Sequence, residues 1–150
     1  MRYTTSIDIN LPLDKVIDLF DNPENTKKWQ PSLIEYKPLQ GEPGHPGAKT
    51  KLRYQMGRRE VEMVETVNTR HFPEEFTVTY TAKGVWNLVV NRFEQLDADR
   101  TRWTTKHEFQ FTGMMKVLSW FMPGVFKKQS RQTMKDFKRF AESQQLVEAE

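Results

Sequence analysis

Apolar and polar residues alternate through the middle of the chain and recur at helical spacing in its last third. From Ser32 to Phe111 the alternation has a period of two, which predicts β-strands. The predicted strands are 32–40, 48–56, 59–69, 74–82, 85–96 and 100–111. Glycine, proline and aspartate at the joints between them predict tight turns, and connections this short join antiparallel neighbours. The middle of the chain is therefore a predicted antiparallel meander.

A further strand and two short helices are predicted before this meander. Residues 2–10 are rich in β-formers and alternate near their end, which is typical of a strand. A helix is predicted to begin at Pro12, because proline is tolerated in the first turn and Asp14 suits the positive end of the helix dipole. A second short helix is predicted to run to about Trp29 and to end at Pro31.

The last third of the chain has the strongest helical periodicity. Apolar residues recur at spacings of three and four between Leu118 and Ala141, which predicts one apolar helix face, interrupted at Gln129 and Ser130. The Pro123-Gly124 pair is predicted to divide this stretch into a short helix and a long one. The long helix, from Gly124 to about Leu146, would measure roughly 34 Å at ~1.5 Å per residue.

The widths of these elements predict a hollow. Seven strands about 4.8 Å apart make a sheet more than ~30 Å wide, whereas one helix covers about 10–12 Å of it. The sheet must therefore curl around the long helix to bury its inner face. The predicted fold class is α+β with the order β-α-α-β6-α, and a ligand pocket is expected between sheet and helix.

Four local sequences resemble those of a known superfamily, and they occur in the expected order. They are SIDINLPLDKV at 6–16, DNPENTKKWQP at 21–31, GAKT at 47–50 and FKRFAE at 137–142. On these the chain resembles the small bacterial single-domain members of the SRPBCC, or START-like, helix-grip superfamily, which includes polyketide cyclase/dehydrase-like and lipid transport-like proteins. The resemblance covers nearly the whole chain.

This resemblance implies a helix-grip (Bet v 1/START-like) fold, in which a seven-stranded curved antiparallel sheet wraps around a long C-terminal helix. Two short helices follow the first strand. It also implies a hydrophobic cavity for a lipid, polyketide, sterol or similar ligand. The superfamily supplies no universal catalytic residues, so fold does not settle function.

Composition excludes several classes of functional site. The 150 residues include no cysteine, which excludes disulfides, thiolate nucleophiles and cysteine metal sites. The three histidines lack metal-ligand spacing and no phosphate or dinucleotide loop is present, so we expect no metal and no cofactor. The formal net charge of +3 comes largely from the last helix, so no nucleic acid partner is expected.

The chain is expected to form one domain over 1–150, with a loose tail from about residue 146. It has no apolar run near 18 residues, so no transmembrane segment is expected. Its start lacks the apolar stretch of a signal peptide, and a cytoplasmic location is the default expectation.

His107 is the first candidate for chemistry. Alternation places it with Trp103, Thr105 and Phe109 on one face of the last strand, which we interpret as the inner face. There His107 could accept or donate a proton. We favour a hydrogen-bonded histidine in an aromatic wall, because no motif supplies a catalytic partner.

Glu65 and Tyr54 are weaker acid–base candidates. If Val61, Met63 and Glu65 point inward, the carboxylate is buried and needs a partner or a raised pKa. If Val64 points inward instead, Glu65 is in solvent. We favour the second orientation, with Glu65 in solvent, because it is the ordinary one for a charged residue. A shift of one residue in the strand register would exchange the two faces.

The strand before the last one leaves two phases open. Asn87 and Asn91 share one face, and two inward amides could orient a polar ligand group. Trp86, Leu88 and Val90 share the other face, and pointing outward they would form an apolar patch suited to a homodimer. The sequence does not choose between these phases.

Aromatic and methionine residues are numerous, and methionine adapts to irregular apolar shapes. The predicted cavity residues are Trp29, Tyr54, Met56, Met63, Phe76, Tyr80, Asn87, Asn91, Trp103, Thr105, His107, Phe109, Met115, Leu118, Phe121 and Met122.

Three functions are compatible with these features. The leading hypothesis is a protein that binds or carries a hydrophobic small molecule. One alternative is a cofactor-independent cyclase or dehydratase that uses cavity acid–base groups such as His107, and another is a protein-interaction module resembling co-chaperone domains. Basic residues of the last helix, among them Lys127, Lys128 and Arg131, could face anionic lipid headgroups or an acidic partner, although a solvated face is the favoured interpretation.

Overall fold

The alternating segments form seven strands of one open, curved sheet. The computed structural model describes residues 1–122 and 124–149, with side chains as far as Gln145. The strands are β1 (Arg2–Ile9), β2 (Leu33–Gln40), β3 (Lys49–Met56), β4 (Arg59–His71), β5 (Glu75–Ala82), β6 (Val85–Asp97) and β7 (Arg100–Phe111). Their spatial order is β1-β7-β6-β5-β4-β3-β2, and all neighbours are antiparallel. The predicted meander is confirmed, with β1 added beside β7.

Four helices complete the fold. They are α1 (Leu13–Phe20), α2 (Thr26–Trp29), α3 (Met114–Phe121) and α4 (Val125–Ala149), and a 3-10 turn at Pro23–Asn25 precedes α2. Pro12 stands just before α1 with an extended backbone, so it precedes the first turn and does not belong to it. No helix among the described residues is long and apolar enough to cross a membrane.

The predicted break between the last two helices falls partly outside the described residues, because Pro123 is not among them. Met122 has a non-helical backbone (φ −136°, ψ 52°), and α4 begins at Val125. At the other end, α4 continues to Ala149 and Glu150 lies outside the described residues. The loose tail from about residue 146 stays a prediction.

The sheet grips α4 through a buried aromatic contact. Phe137 is fully buried, and its ring meets the rings of Trp29 and Trp103 edge-on at 5.1 and 5.4 Å between centroids. Met134 and Ala141 lie on the same face of α4 and are also buried. Burial of these side chains is the main force that holds helix to sheet. The helix-grip fold expected from the sequence is therefore observed.

The apolar stripe predicted from Leu118 to Ala141 is wrong in its first part. Leu118 and Phe121 of α3 are exposed, as is Met122. Because the helical backbone is interrupted at Met122, the phase of α3 does not continue into α4. The exposed apolar residues of α3 consequently do not pack against the inner face of the sheet, where α4 lies.

Phe20, at the end of α1, packs into the space between the sheet and α4. Its ring lies 5.0 Å from Phe93 and 5.4 Å from Trp103, both in edge-to-face geometry. It also meets Phe76 and Phe137 edge-on. The aromatic contacts of Phe20 thereby fix α1 to the sheet and to α4.

Candidate functional site

A cavity of about 520 Å³ lies between the inner face of the sheet and α4. This is within the range of about 300–1,000 Å³ that is typical of small-molecule sites. Its wall is mainly aromatic and aliphatic, with polar groups at intervals. The predicted residues found at this cavity are Trp29, Tyr54, Met56, Met63, Phe76, Tyr80, Asn87, Asn91, Trp103, Thr105, His107, Phe109 and Met115.

Three predicted cavity residues lie elsewhere. Leu118, Phe121 and Met122 are exposed on or just after α3 and do not line the cavity. The prediction failed because it extended the inward face of α4 back through the helix break. Met115 is the residue of α3 that does reach the cavity wall.

The structure resolves the phase of β6. Asn87 and Asn91 point inward and line the cavity, and Val89 between them is buried. Trp86 and Leu88 therefore lie on the outer face, where each is half-buried. A homodimer through this outer face stays a prediction.

The two inward asparagines have different surroundings. Both polar atoms of the Asn91 amide are hydrogen-bonded, because Nδ2 donates to the carbonyl of Phe76 (3.1 Å) and Oδ1 accepts from Trp103 Nε1 (3.0 Å). Asn87 Oδ1 is buried and has no hydrogen-bond partner among the described residues. Asn91 is thus part of the scaffold, whereas Asn87 offers the cavity an unused acceptor.

Glu65 points inward, which corrects the favoured prediction that it lies in solvent. It lines the cavity with Val61 and Met63, and Val67 further along β4 is buried. The buried carboxyl group has a polar partner, since Tyr80 lies directly opposite on β5 and is hydrogen-bonded to it. Burial nevertheless raises the pKa of Glu65, because desolvation disfavours the charged form.

Three tyrosines surround this carboxyl group. Burial and the nearby charge of Glu65 raise the pKa of Tyr36, Tyr54 and Tyr80. The hydroxyl of Tyr54 donates to Gln30 Oε1 at 2.6 Å, which ties β3 to the end of α2. All three phenols are therefore neutral at physiological pH, and Tyr80 is the one that is hydrogen-bonded to the carboxyl group.

His107 belongs to the opposite side of the cavity wall. Its Nε2 lies 3.1 Å from Thr105 Oγ1, which in turn is 2.7 Å from Thr5 Oγ1. Tyr3 of β1 stacks on the imidazole with 4.6 Å between ring centroids. Burial lowers the pKa of His107 to about 4, so the ring is neutral at physiological pH. Nδ1 is buried without a partner among the described residues.

Several cavity residues were missed by sequence reasoning. They include Phe20, Leu52, Val85, Gln129, Ser130 and Thr133. The last three interrupt the apolar stripe of α4 with polar side chains, and that interruption was the available signal for a helix face turned toward a hollow. In the part of the chain that the structure describes, no group of three histidine or acidic side chains could hold a metal ion.

Solved structures with this architecture come from several organisms. The Zhui aromatase/cyclase from Streptomyces sp. R1128 is 15% identical with a TM-score of 0.80, covering 95% of this chain and 93% of that one. A conserved protein from Geobacillus kaustophilus is 16% identical with a TM-score of 0.78, covering 95% and 96%. A norcoclaurine synthase point mutant from Thalictrum flavum, in complex with a transition-state analogue, is 9% identical with a TM-score of 0.76, covering 97% and 96%.

At these identities the structural similarity shows the fold alone. Among curated proteins there is no match to the chain. Family membership comes instead from a sequence model described as polyketide cyclase / dehydrase and lipid transport, which matches residues 1–142. That match includes every strand, α1 to α3 and most of α4. The chain therefore belongs to the polyketide cyclase/dehydrase and lipid transport family.

Proposed function

We propose that this protein binds and carries a hydrophobic small molecule in the cavity between the sheet and α4. The observation that carries the proposal is the cavity itself, about 520 Å³ with a wall of aromatic and methionine side chains. A hollow of this size lined by apolar groups is costly unless a ligand fills it, because the lining atoms lose packing contacts. Family membership supports the same function.

The polar groups of the wall indicate what the ligand carries besides apolar surface. Asn87 Oδ1, His107 Nδ1 and Trp29 Nε1 are buried without partners among the described residues, and all three side chains line the cavity. A buried polar atom without a partner costs about 1–3 kcal/mol. We infer a ligand whose hydroxyl or carbonyl groups supply these partners, which is the chemistry of polyketides and sterols and less that of plain alkyl chains.

Ligand binding can be tested by native mass spectrometry and by thermal shift with aromatic polyketides, sterols and fatty acids. Binding raises Tm by mass action. The Ala82→Phe variant, which adds a ring to the cavity wall, should abolish the shift. Thr81→Phe is the matched control, because Thr81 is the exposed neighbour on the opposite face of β5. Equal shifts in both variants would place binding outside the cavity.

A second candidate function is acid–base catalysis at Glu65. The observation that favours it is the buried pair with Tyr80, because a carboxyl group with a raised pKa keeps its proton to higher pH and can donate it as a general acid. His107, whose pKa is lowered to about 4, suits the role of neutral hydrogen-bonding group better than that of acid. Turnover of a bound ligand that is lost in Glu65→Gln but kept in His107→Gln would support this function.

The remaining expectations from the sequence stay predictions. These are a cytoplasmic location, the absence of a nucleic acid partner, a homodimer and the protein-interaction alternative. The interaction alternative concerns the outer surface of the protein, where α3 is the most exposed apolar element.

A further inference from the structure

α3 presents a continuous apolar surface that faces away from the rest of the protein. Met114, Trp120 and Phe121 are 75, 70 and 77% exposed, and Val117 and Leu118 are 43 and 44% exposed. With 3.6 residues per turn, these five positions share an arc of about 160°. Single exposed apolar residues are ordinary, but a contiguous group that includes tryptophan and phenylalanine marks an interaction site.

The opposite side of α3 is fixed to the protein. Met115 lines the cavity, and its Cγ lies 2.9 Å from where a Cβ on Gly84 would stand. Gly84 has φ +75° in the β5–β6 turn, and its carbonyl accepts from Thr112 N at 3.0 Å. Only glycine suits this position, because it combines a left-handed backbone with close approach of a neighbour. The outward direction of the apolar arc is therefore built into the fold.

A basic depression of about 450 Å³ lies at the start of α4, which follows this helix in the chain. Arg2, Lys127, Lys128, Arg131 and Lys135 are among its lining residues, and none of the lining residues is acidic. Among the residues that the structure describes, the four α4 cations form no ion pair, whereas the exposed Arg2 pairs with the half-buried Glu108 at 3.2 Å.

The apolar and basic surfaces are continuous along the chain. Met122 and Val125 are 43 and 47% exposed and connect α3 to the cations, the first of which is Lys127. An apolar helix next to unpaired cations is complementary to a bilayer surface, where acyl chains lie beneath anionic headgroups. Tryptophan is also the side chain that most favours the level of the headgroups.

We propose that α3 and the adjoining basic depression form a docking surface for membranes that contain anionic phospholipid. Trp120 and Phe121 enter the interface, while Lys127, Lys128 and Arg131 face headgroup phosphates. The helix has eight residues, so it lies in the interface and does not span, which takes about 20. Docking does not require the cavity ligand. Where the proposed carrier function holds, docking would bring α3 to the membrane, and α3 carries the cavity residue Met115.

A second copy of the chain is a poorer occupant for the same surface. A two-fold interface places identical patches against each other, so it would bring the basic depressions of both copies close together. Like charges on that scale oppose association, whereas they favour an anionic bilayer. The charge distribution therefore favours binding of this surface to an anionic membrane over its binding to a second copy of the chain.

Co-sedimentation with vesicles tests the proposal directly. The full chain is mixed with vesicles of phosphatidylcholine alone or of phosphatidylcholine with phosphatidylserine. We expect sedimentation with the anionic vesicles, weaker at high salt, and little with the neutral ones. Removing two cations in Lys128→Gln/Arg131→Gln should weaken partitioning about twenty-five-fold, at about fivefold for each cation.

The matched charge control is Arg92→Gln/Lys106→Gln, which removes one arginine and one lysine from the exposed outer face of the sheet. It lowers net charge equally but should leave partitioning unchanged. Trp120→Ser/Phe121→Ser should weaken partitioning by about tenfold or more, whereas the exposed Leu39→Ser should not. Circular dichroism confirms that each variant is folded.

Three outcomes would overturn the proposal. One is equal loss in both charge variants, which would mean a general charge effect. Another is a folded wild-type protein that stays in the supernatant with both kinds of vesicle. The third is a dimer in vesicle-free light scattering that becomes a monomer in Trp120→Ser/Phe121→Ser, which would assign the surface to self-association. Ligand binding in the cavity is measured separately and can succeed or fail independently.

Discussion

Glu65 and Tyr80 lie directly opposite each other on β4 and β5, and the tyrosine hydroxyl is hydrogen-bonded to the carboxyl group inside the cavity. Burial outweighs this hydrogen bond, because the pKa of Glu65 is raised although the bond alone would lower it. The carboxyl group is therefore kept protonated to higher pH than in the unfolded chain. Both the stability of the fold and the chemistry of the cavity depend on this balance.

The first prediction concerns Glu65→Gln. Because the folded-state pKa exceeds the ordinary value of 4.5, the stabilising contribution of Glu65 is complete below pH 4.5 and is lost as pH rises toward the folded pKa. The glutamine variant lacks this loss. Relative to wild type it should therefore gain free energy of unfolding as the pH rises from 4 to 8.

Urea denaturation at a series of pH values measures this difference. Glu62→Gln is the control, because Glu62 is on the same strand but its side chain is exposed. A Glu65→Gln variant whose stability relative to wild type is the same at both ends of the pH range would contradict the raised pKa.

His107 should produce a pH dependence of opposite sign. Its pKa is lowered to about 4 by burial, from 6.5, so its contribution is complete above pH 6.5 and is lost as pH falls toward 4. The loss should reach about 3 kcal/mol, at 1.36 kcal/mol per pKa unit. His107→Gln should lack it, as measured by urea denaturation, with His71→Gln as the exposed control. If the difference in free energy of unfolding between wild type and His107→Gln is the same at pH 7 and pH 4, the lowered pKa of His107 is wrong.

Backbone patterning was readable from the sequence because it depends on local periodicity. The six strands of the meander were predicted within two residues at each end, and α1 and α2 were placed correctly apart from the position of Pro12. Alternation also grouped Asn87 with Asn91 and Thr105 with His107. What alternation could not supply was the absolute phase of a strand, since a shift of one residue exchanges the two faces.

The errors at Glu65 and α3 arose because local periodicity does not show how one segment is placed against another. The burial of Glu65 depends on Tyr80, which is a neighbour on another strand, so the strand's own sequence could not reveal it. Leu118 and Phe121 were assigned inward because their spacing matched that of α4, but the helical backbone is interrupted at Met122. In each case the deciding information is a tertiary relationship between segments.

The two inward asparagines should respond differently to truncation. Asn91→Ala removes the acceptor of Trp103 Nε1 and the donor to the Phe76 carbonyl, both of them buried. It should lower the free energy of unfolding by about 2–3 kcal/mol, because two polar groups lose their partners. Asn87→Ala removes a carbonyl that has no partner, and its effect should stay below about 1 kcal/mol.

Chemical denaturation of both variants checks this contrast, and each serves as the control for the other. If Asn87 is the acceptor for the ligand, Asn87→Ala should instead reduce the ligand-induced rise in Tm. Equal destabilisation by the two variants would contradict the division between scaffold and binding group.

The last prediction concerns Arg70, which fastens the loop between β2 and β3 to the end of α1. Its Nη1 donates to Asp21 Oδ1 at 2.6 Å and to the carbonyl of Gly44 at 2.9 Å, and its Nη2 donates to Asp21 Oδ2. Asp21 and Gly44 both line the cavity. Charge-assisted hydrogen bonds of this partly buried kind contribute about 1.5–3 kcal/mol in total, so Arg70→Met should destabilise by about 2 kcal/mol.

Local opening should accompany this loss of stability. The amides of His45 and Ala48, which donate to Glu42 and His45 carbonyls at 3.0 Å, should exchange with solvent faster in Arg70→Met. Arg100→Met is the control, because the Arg100–Asp97 pair is half-exposed and such pairs contribute about 0–1 kcal/mol. If loop exchange is unchanged while stability falls, Arg70 acts on global packing, including its contact 5.1 Å above the Phe72 ring, and the fastening role is wrong.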